Sequence, residues 1–289
     1  MRVLGFGDNI VDRFGDRGID YPGGNSVNVA VYARRLGAEA AYLGVFGNDD
    51  LGRFLRESIA AEGVAVERSV VRAGESGVSH LRVDDGDRVF LGWNGGGVTV
   101  REPLVLDDDL LAYVSGFDLV HSSVYSRSEP ELPKLAALGT LVSFDLSSEE
   151  DYRDTGYLDR VCPHADLVLL SCSHLDEEAT AGLLAEAVRR GARLALGTRG
   201  VHGALAHDGR VTLSAPARLA EGIMDTMGCG DAFLTGFAVS LLRDGWAAGS
   251  PARPAMIERA LRQGAEAARD QCFVEGAFGH GRRAPVTSM

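Results

Sequence analysis

The sequence predicts an α/β fold with a mostly parallel central sheet covered by helices on both faces, and three observations lead to that prediction. Short apolar strands alternate with helical patterns along most of the chain, which is typical of a parallel sheet between two helical layers. A single stretch without helical period interrupts the alternation. The 289 residues are 45% hydrophobic and 24% charged, which is the composition of a globular chain long enough for one large domain.

The spacing of the apolar residues fixes the order of the elements. It predicts, in chain order, strand 3–6, helix 28–36, strand 40–46, helix 49–61, strands 119–124, 141–144 and 167–170, helix 177–190 and strand 194–196. Glycine follows several of these segments, as it does at many helix ends. Because no linker, repeat or low-complexity tract divides the chain, we predict one domain over 1–289.

The interruption lies at 69–98, where two strands, 78–83 and 88–93, flank an Asp85-Gly86 hairpin turn. A glycine-rich loop, 92–97, follows the second strand. A β-hairpin inserted into an α/β domain serves as a lid, as a dimer surface or as plain decoration, and the residues alone leave these alternatives open.

Composition excludes several classes of protein. The chain has one lysine, Lys134, which has no glycine beside it, so a P-loop is excluded. The net charge of −12 argues against a nucleic-acid partner. No apolar run reaches the roughly 18 residues of a membrane span, and the N-terminus is typical of a strand and turn rather than of a signal peptide. The four cysteines form no CxxC pair, so we expect a cytoplasmic protein without a zinc site or disulfides.

The segment 225–231, Asp-Thr-Met-Gly-Cys-Gly-Asp, is a glycine-rich turn that leads into a predicted helix beginning near Cys229 or Gly230. Free backbone N–H groups and the positive end of the helix dipole would form an anion site that needs no lysine. Asp231, in the first turn, could take a proton from a hydroxyl that attacks a phosphoryl group. The plainer alternative is a capped helix, with glycine for the turn and aspartate for the cap.

A second glycine-rich turn, 22–24, precedes the helix that contains Asn25 and Asn28. The two glycines would allow the backbone to approach a ligand closely. The asparagines are three residues apart and share a face, and their amides suit neutral hydroxyl groups. The alternative is that Asn25 is the N-cap of the helix.

Two further segments follow predicted strands. Asp8 and Asp12 lie just past the first strand, at the carboxyl edge where open α/β sheets bind ligands, and could accept hydrogen bonds from sugar hydroxyls. The turn 196–203 follows strand 194–196 and could carry nucleotide phosphates. Each is by itself a weak signal, since solvated aspartates and glycine turns are common.

These segments, occurring together in this order, resemble the ribokinase-like carbohydrate kinases, also called the PfkB family, over essentially the whole chain. The motifs are the Gly-Gly-Asn segment at 23–25 and the DTMGCGD segment at 225–231. The resemblance implies a ribokinase-like three-layer fold whose β lid, about 12–22 and 69–98, closes over a sugar. It also implies ATP and Mg²⁺ as cofactors and a small-molecule sugar as substrate.

The resemblance further implies roles for individual residues. Asp231 is the expected catalytic base, with the anion hole at Gly228, Cys229 and Gly230. The expected substrate-binding residues are Asp8, Asp12, Gly24, Asn25, Asn28, Arg88 and Phe90. The expected nucleotide-binding residues are Gly197, Thr198, Arg199, Gly200, Gly203 and Thr226, and those for the metal are Asp145 and Asp225. Some relatives are activated by K⁺, and such a site would lie near 276–279. A homodimer through the lid is also expected.

Several details are similar to one subgroup, the fructoselysine 6-kinases, among them DRVF at 87–90 on the expected lid and DLVH at 118–121. The function expected from this likeness is phosphorylation of a primary hydroxyl, that of fructoselysine or another fructosamine at position 6. One departure concerns the metal. Many members carry Asn-x-x-Glu after a central strand, and this chain has Ser-Cys-Ser-His at 171–174, which leaves open which carboxylates organise Mg²⁺.

Three alternatives to this function remain. The first is a kinase of the same family for a ketohexose, ribose or a nucleoside. The second is a catalytically silent sugar-binding protein on the same fold, which the intact Asp231 argues against. The third is a dinucleotide-dependent oxidoreductase, which is disfavoured because the first strand and turn lack a GxGxxG pattern.

Overall fold

The structure is a computed structural model that describes residues 1–84 and 87–284; the side chains at 83, 84, 87 and 88 also lie outside the description. The strands are β1 (Arg2–Gly7), β2 (Ile10–Phe14), β3 (Ile19–Gly23), β4 (Glu39–Gly47), β5 (Val70–Arg72), β6 (Val78–Asp84), β7 (Asp87–Trp93), β8 (Leu119–Ser123), β9 (Leu141–Asp145), β10 (Leu167–Ser171), β11 (Leu194–Thr198), β12 (Ala204–His207), β13 (Thr212–Ala215) and β14 (Arg282–Arg283). The helices are α1 (Asn25–Arg35), α2 (Asp50–Ala61), α3 (Gly97–Arg101), α4 (Asp108–Val114), α5 (Leu132–Ala136), α6 (Thr155–Val161), α7 (Glu177–Arg189), α8 (Cys229–Arg243) and α9 (Pro254–Gln271).

Nine strands form the large sheet, in the order β13-β12-β11-β10-β9-β8-β1-β4-β5. Its strands from β11 to β5 pair in parallel, and β12 and β13 extend one edge antiparallel. The carboxyl ends of β1, β8, β9, β10 and β11 therefore meet at one edge of the sheet. This arrangement confirms the predicted α/β class and brings the segments that follow those strands together.

Alternate residues of the central strands pack on opposite faces, as strand geometry requires. On one face, Val168 and Ala195 pack in a core with side chains of α4 to α7; on the other, Leu167 and Leu194 pack with α8 and α9. The helices thus cover both faces and produce three layers. Within the described ranges, no helix has both the length and the apolar character needed to cross a membrane.

A second, five-stranded sheet has the order β14-β3-β2-β6-β7 and contains most of the predicted lid. The predicted boundaries of about 12–22 and 69–98 need two corrections. Val70–Arg72 pairs with β4 in the large sheet, so of the segment 69–98 the first strand in the second sheet is β6, which begins at Val78. At the other end of the chain, Arg282–Arg283 pairs with β3. The Asp85-Gly86 turn lies outside the described residues.

The helix predicted over 28–36 begins at Asn25, and its N-cap is Gly24 rather than Asn25. Gly24 has a φ of 116°, and a Cβ there would lie 2.8 Å from the Cα of Asn9 and 2.9 Å from the carbonyl oxygen of Asp8. Glycine is therefore needed because two backbone segments cross here. This turn places both Asn25 and Asn28 in the first turn of α1.

Candidate active site

The site is centred on Asp231, which lies in the first turn of α8 and is buried. The side-chain amide of Asn28 donates a hydrogen bond of 2.7 Å from Nδ2 to Asp231 Oδ2. The two residues are 203 positions apart in the sequence, and the packing of α1 against α8 brings them together. Asn28 Oδ1 is buried too and, among the described residues, has no hydrogen-bond partner. Such an orphaned acceptor suits a hydroxyl donor.

Asp145, at the end of β9, is a second buried carboxylate of the site. Its Oδ2 accepts a hydrogen bond of 2.5 Å from Asn25 Nδ2, and its Oδ1 accepts one of 2.7 Å from the backbone N–H of Ser147. Asn25 and Asn28, the pair that the sequence placed on one helix face, therefore each hold one buried carboxylate. Amides can do this because they have N–H groups to donate.

The charge of Asp145 affects the protonation of Asp231. Burial raises the pKa of Asp231 well above its usual range, and the negative charge of Asp145 raises it further; the hydrogen bond from Asn28 acts in the opposite direction. Burial also raises the pKa of Asp145 to about 6, against the hydrogen bonds from Ser147 and Asn25. A carboxylate whose pKa is raised accepts a proton more readily, which is the property of a general base.

The turn before α8 has the conformation that an anion site needs. Gly228 is its N-cap, with a φ of 72°, and no side chain caps the helix; the N–H of Cys229 donates to the carbonyl oxygen of Thr226 at 3.3 Å. Asp225 braces this turn, since its Oδ1 accepts from the N–H of Met227 at 2.9 Å and its Oδ2 from the N–H of Gly276 at 3.0 Å. Cys229 is the first helical residue, and its Sγ lies 3.5 Å from that of Cys272.

Gly228 and Gly230 provide a matched pair for testing this turn. A Cβ at Gly228 would collide with Tyr32 Oη, which donates to the carbonyl oxygen of Ala277 at 2.5 Å, whereas a Cβ at Gly230 would meet no atom within 4 Å. We expect Gly228→Ala to lower the free energy of unfolding by about 1–3 kcal/mol, because both φ and the space disfavour a side chain. Gly230→Ala should change it by less than about 0.5 kcal/mol. Urea unfolding of the two variants measures the difference, and equal stabilities would contradict this account.

Asp8 lies at the same edge, after β1, but its contacts are with the protein. The hydroxyl groups of Ser26, Ser123 and Ser126 lie 2.7, 2.9 and 2.7 Å from its Oδ1. This buried cluster ties the ends of β1 and β8 to the start of α1. Sequence reasoning missed the serines: Ser123 lies at the end of the predicted strand 119–124, Ser126 just after it and Ser26 beside the glycine turn 22–24, and no motif marks them.

Asp12 lies on β2 of the second sheet, and its negative charge also raises the pKa of Asp231. A Cβ at Gly23 would lie 2.5 Å from Asp12 Oδ2. The glycines at 23 and 24 therefore admit neighbouring protein atoms, where the sequence led us to expect the close approach of a ligand. Asp12 therefore places a carboxylate of the second sheet close enough to Asp231 to affect its pKa.

The predicted nucleotide segment lies at the carboxyl end of β11, on the same edge of the sheet. Gly197 is inside the strand, where a Cβ would lie 2.9 Å from Thr180 of α7, so packing alone accounts for this glycine. Thr198 ends the strand, and Gly200 and Gly203 have positive φ values in the turn that follows. Arg199 forms an ion pair of 3.3 Å with Glu177. Thr226 is exposed.

The remaining predicted residues are distributed as follows. Phe90, on β7, is 60% exposed, and the side chain of Arg88 lies outside the described residues. In the described part of the chain, no group of three or more His, Cys, Asp or Glu side chains could hold a metal ion. In the segment 276–279, the carbonyl oxygens of Gly276 and Ala277 accept from Gln271 Nε2 at 3.1 and 2.7 Å. Sequence reasoning missed Gln271, which no motif marks.

An α/β sheet whose carboxyl edge holds a buried, hydrogen-bonded carboxylate in the first turn of a helix without a side-chain cap has the parts required by enzymes that transfer a phosphoryl group to a hydroxyl. The family model of the pfkB family carbohydrate kinases matches residues 15–278. This chain belongs to the pfkB family of carbohydrate kinases.

Individual relatives agree with this assignment. The chain is 39% identical to the fructosamine kinase FrlD of Bacillus subtilis over 284 residues, which are 97% of this chain and 94% of the relative. It is 32% identical to the fructoselysine 6-kinase of Escherichia coli over 280 residues, 96% of this chain and all of the relative. Among solved structures, a fructokinase from Xylella fastidiosa with bound ATP superposes with a TM-score of 0.78 at 21% identity, covering 96% of this chain and 95% of that one. That likeness confirms the ribokinase-like fold.

Proposed function

We propose that this protein uses ATP to phosphorylate the 6-hydroxyl of a fructosamine such as fructoselysine, with Asp231 as the general base. The observation that carries the proposal is the buried hydrogen bond between Asn28 and Asp231 at the N-terminus of α8. The substrate class is supported by the two relatives named as a fructosamine kinase and a fructoselysine 6-kinase, which this chain matches over nearly its full length.

In the proposed reaction, the oxygen of the sugar hydroxyl attacks the γ-phosphorus while Asp231 accepts the proton of that hydroxyl. Asn28 orients the carboxylate through Nδ2 and accepts a second sugar hydroxyl at Oδ1. The backbone N–H groups of Gly228, Cys229 and Gly230 donate to the charge that develops on the transferred group. Asp231 then holds the proton, while the bond between the γ-phosphorus and the bridging oxygen has broken to leave ADP.

The cofactors are ATP and Mg²⁺. When bound, they supply the phosphoryl group and neutralise charge on its oxygens. Asp145 fits the metal because Mg²⁺ keeps most of its water and needs few protein ligands. Each oxygen of the Asp145 carboxylate accepts one hydrogen bond in the structure and has a further lone pair that can accept one from a metal-bound water. Asp225 instead braces the turn at 225–228 before α8, which we call the anion turn. The nucleotide would lie along Thr198 to Gly203 and Thr226.

The second sheet supplies the rest of the sugar site in this proposal. Asp12 on β2 accepts a sugar hydroxyl, and Arg88 and Phe90 on β7 belong to a lid that excludes water when it closes. Asp8 acts by positioning α1 through its serine contacts. We also propose a homodimer through this sheet, since β7 is its edge strand and exposes Phe90 and Leu91. The sedimentation coefficient tests the dimer; that of a monomer would refute it. A K⁺ site at 276–279 stays a prediction with no step assigned to it.

The substrate is tested by comparing kcat/KM for fructoselysine, fructose, ribose and adenosine with ADP formation as the readout. We expect fructoselysine to exceed each of the others by about tenfold or more, which corresponds to about 1.4 kcal/mol of additional transition-state binding. A preference for fructose, ribose or adenosine would overturn the proposed substrate. Failure to form ADP with any of the four, by protein that binds fructoselysine, would favour a silent sugar-binding protein.

A further inference from the structure

Next to the proposed sugar site lies a second group of side chains, which we call the rim: Trp93, Tyr125 and Glu149. Tyr125 Oη donates a hydrogen bond of 2.6 Å to Glu149 Oε1. The ring of Trp93 meets the ring of Tyr125 edge to face, with 6.4 Å between the centroids. Trp93 ends β7 of the second sheet, so the rim joins that sheet to the carboxyl edge of the large one.

The rim is connected to the proposed site by short contacts. Ser147 Oγ lies 2.7 Å from Tyr125 Oη, and the backbone N–H of the same serine donates to Asp145. Tyr125 follows β8, which lies beside β1 in the sheet, and Glu149 follows β9, the next strand on the other side of β8. The negative charge of Glu149 also raises the pKa of Asp145, so the two carboxylates are close enough to interact. A ligand that reaches from Asp145 to Glu149 would pass along Ser147 and Tyr125.

The chemistry of the rim favours a cation. Glu149 and Trp93 are exposed, Trp93 by 42%. The protein around Glu149 displaces water, which raises its pKa, but hydrogen bonds from Ser147 and Tyr125 outweigh this and hold the pKa below its ordinary value. Glu149 is therefore an anion at neutral pH. An ammonium group beside a carboxylate and above an aromatic face is stabilised by both, whereas a phosphate or a carboxylate would be repelled here.

We propose that Trp93, Tyr125 and Glu149 bind the cationic amine substituent of the substrate and thereby select fructosamines over unsubstituted ketohexoses. The inference rests on the proposed function and deepens it. A fructosamine differs from fructose by an amine at C1, the end of the sugar opposite the 6-hydroxyl. With the 6-hydroxyl at Asp231, the amine extends away from the reacting atoms, and the rim, which Ser147 separates from Asp145, provides an anionic, aromatic surface to receive it.

The test compares two substrates in matched variants. The readout is the ratio of kcat/KM for fructoselysine to kcat/KM for fructose, since only fructoselysine carries the amine. We expect Glu149→Gln, which keeps the size of the side chain and removes its charge, to lower that ratio about tenfold through KM. Trp93→Leu should lower it about threefold by removing the aromatic face. Glu150→Gln, the same change on the exposed neighbouring residue, should leave the ratio as in the wild type.

The outcomes separate this inference from the proposed function. If the wild-type protein shows no preference for fructoselysine, the proposed function fails and the rim inference fails with it. If the wild type prefers fructoselysine and Glu149→Gln retains the full preference, the rim inference alone is overturned. A loss of activity in Glu149→Gln that is equal for both substrates also overturns it, because it would indicate a general structural or catalytic effect. Thermal unfolding of each variant verifies that the fold is intact.

Discussion

Asp231→Asn should lower kcat by about 10³-fold while leaving the protein folded. Asparagine has nearly the same shape and retains an oxygen that can accept the hydrogen bond from Asn28, but it cannot take the proton of the attacking hydroxyl. General base catalysis contributes about 10²–10⁴-fold, and the anion turn would remain to support the residual rate. The fold should tolerate the change, because an uncharged amide avoids the cost of burying this carboxylate. Initial rates of ADP formation at saturating substrates measure the effect.

Asp244→Asn is the matched control, since it makes the same chemical change at the C-cap of the same helix, where Asp244 pairs with Arg259 at 2.8 Å. We expect its kcat to equal that of the wild type. Retention of more than about a tenth of the wild-type kcat by Asp231→Asn would refute the role of general base. An equal loss in Asp244→Asn would indicate that the helix, rather than the carboxylate, is responsible.

The core strands of the large sheet and the helices α1, α2, α7 and α8 were predicted because their signals are local. The start of α8 follows from the sequence 228–231 alone, and the glycine cap is the reason. The start of α1 was misplaced because its cap is Gly24, a glycine with no side-chain capping bond, whereas Asn25 has the side chain of a usual N-cap. The strand β14 consists of two residues that pair with β3 more than 250 positions earlier, and no local pattern predicts such a pairing.

The candidate site, like the fold, was predictable only where its signals are local in the sequence. Asp231, Asn25 and Asn28 were identified from glycine-rich turns that lead into helices, and the rule that ligand sites lie at the carboxyl edge of a parallel sheet was applied to Asp8 and Asp12. The particular partners were not predictable, since the assignment of Asn28 to Asp231 and Asn25 to Asp145 depends on the packing of three elements. Asp225 was expected to bind metal, and the structure gives it two backbone N–H partners in the turn.

The charge of Asp145 should control the pH at which the enzyme becomes active. The pKa of Asp231 is raised first by burial and then by the negative charge of Asp145. Because the pKa of Asp145 is about 6, this carboxyl loses its proton first, and Asp231 must ionise beside an anion. Asp231 must be ionised to act as a base, so a raised pKa moves the acidic limb of the pH profile upward. Asp145→Asn removes the neighbouring charge, and we expect the limb to move to lower pH by about one unit.

The measurement is kcat/KM between about pH 5 and pH 9, and the readout is the midpoint of the acidic limb rather than the maximal rate, because we also place Asp145 beside Mg²⁺. Asp166→Asn is the control. Burial raises the pKa of Asp166 too, but this residue precedes β10 at the opposite edge of the sheet and accepts from the N–H of Val142 at 2.9 Å. Its midpoint should match the wild type. An unmoved midpoint in Asp145→Asn would refute the coupling between Asp145 and Asp231. An equal shift in both variants would indicate that net charge, rather than repulsion between these two carboxylates, determines the midpoint of the acidic limb.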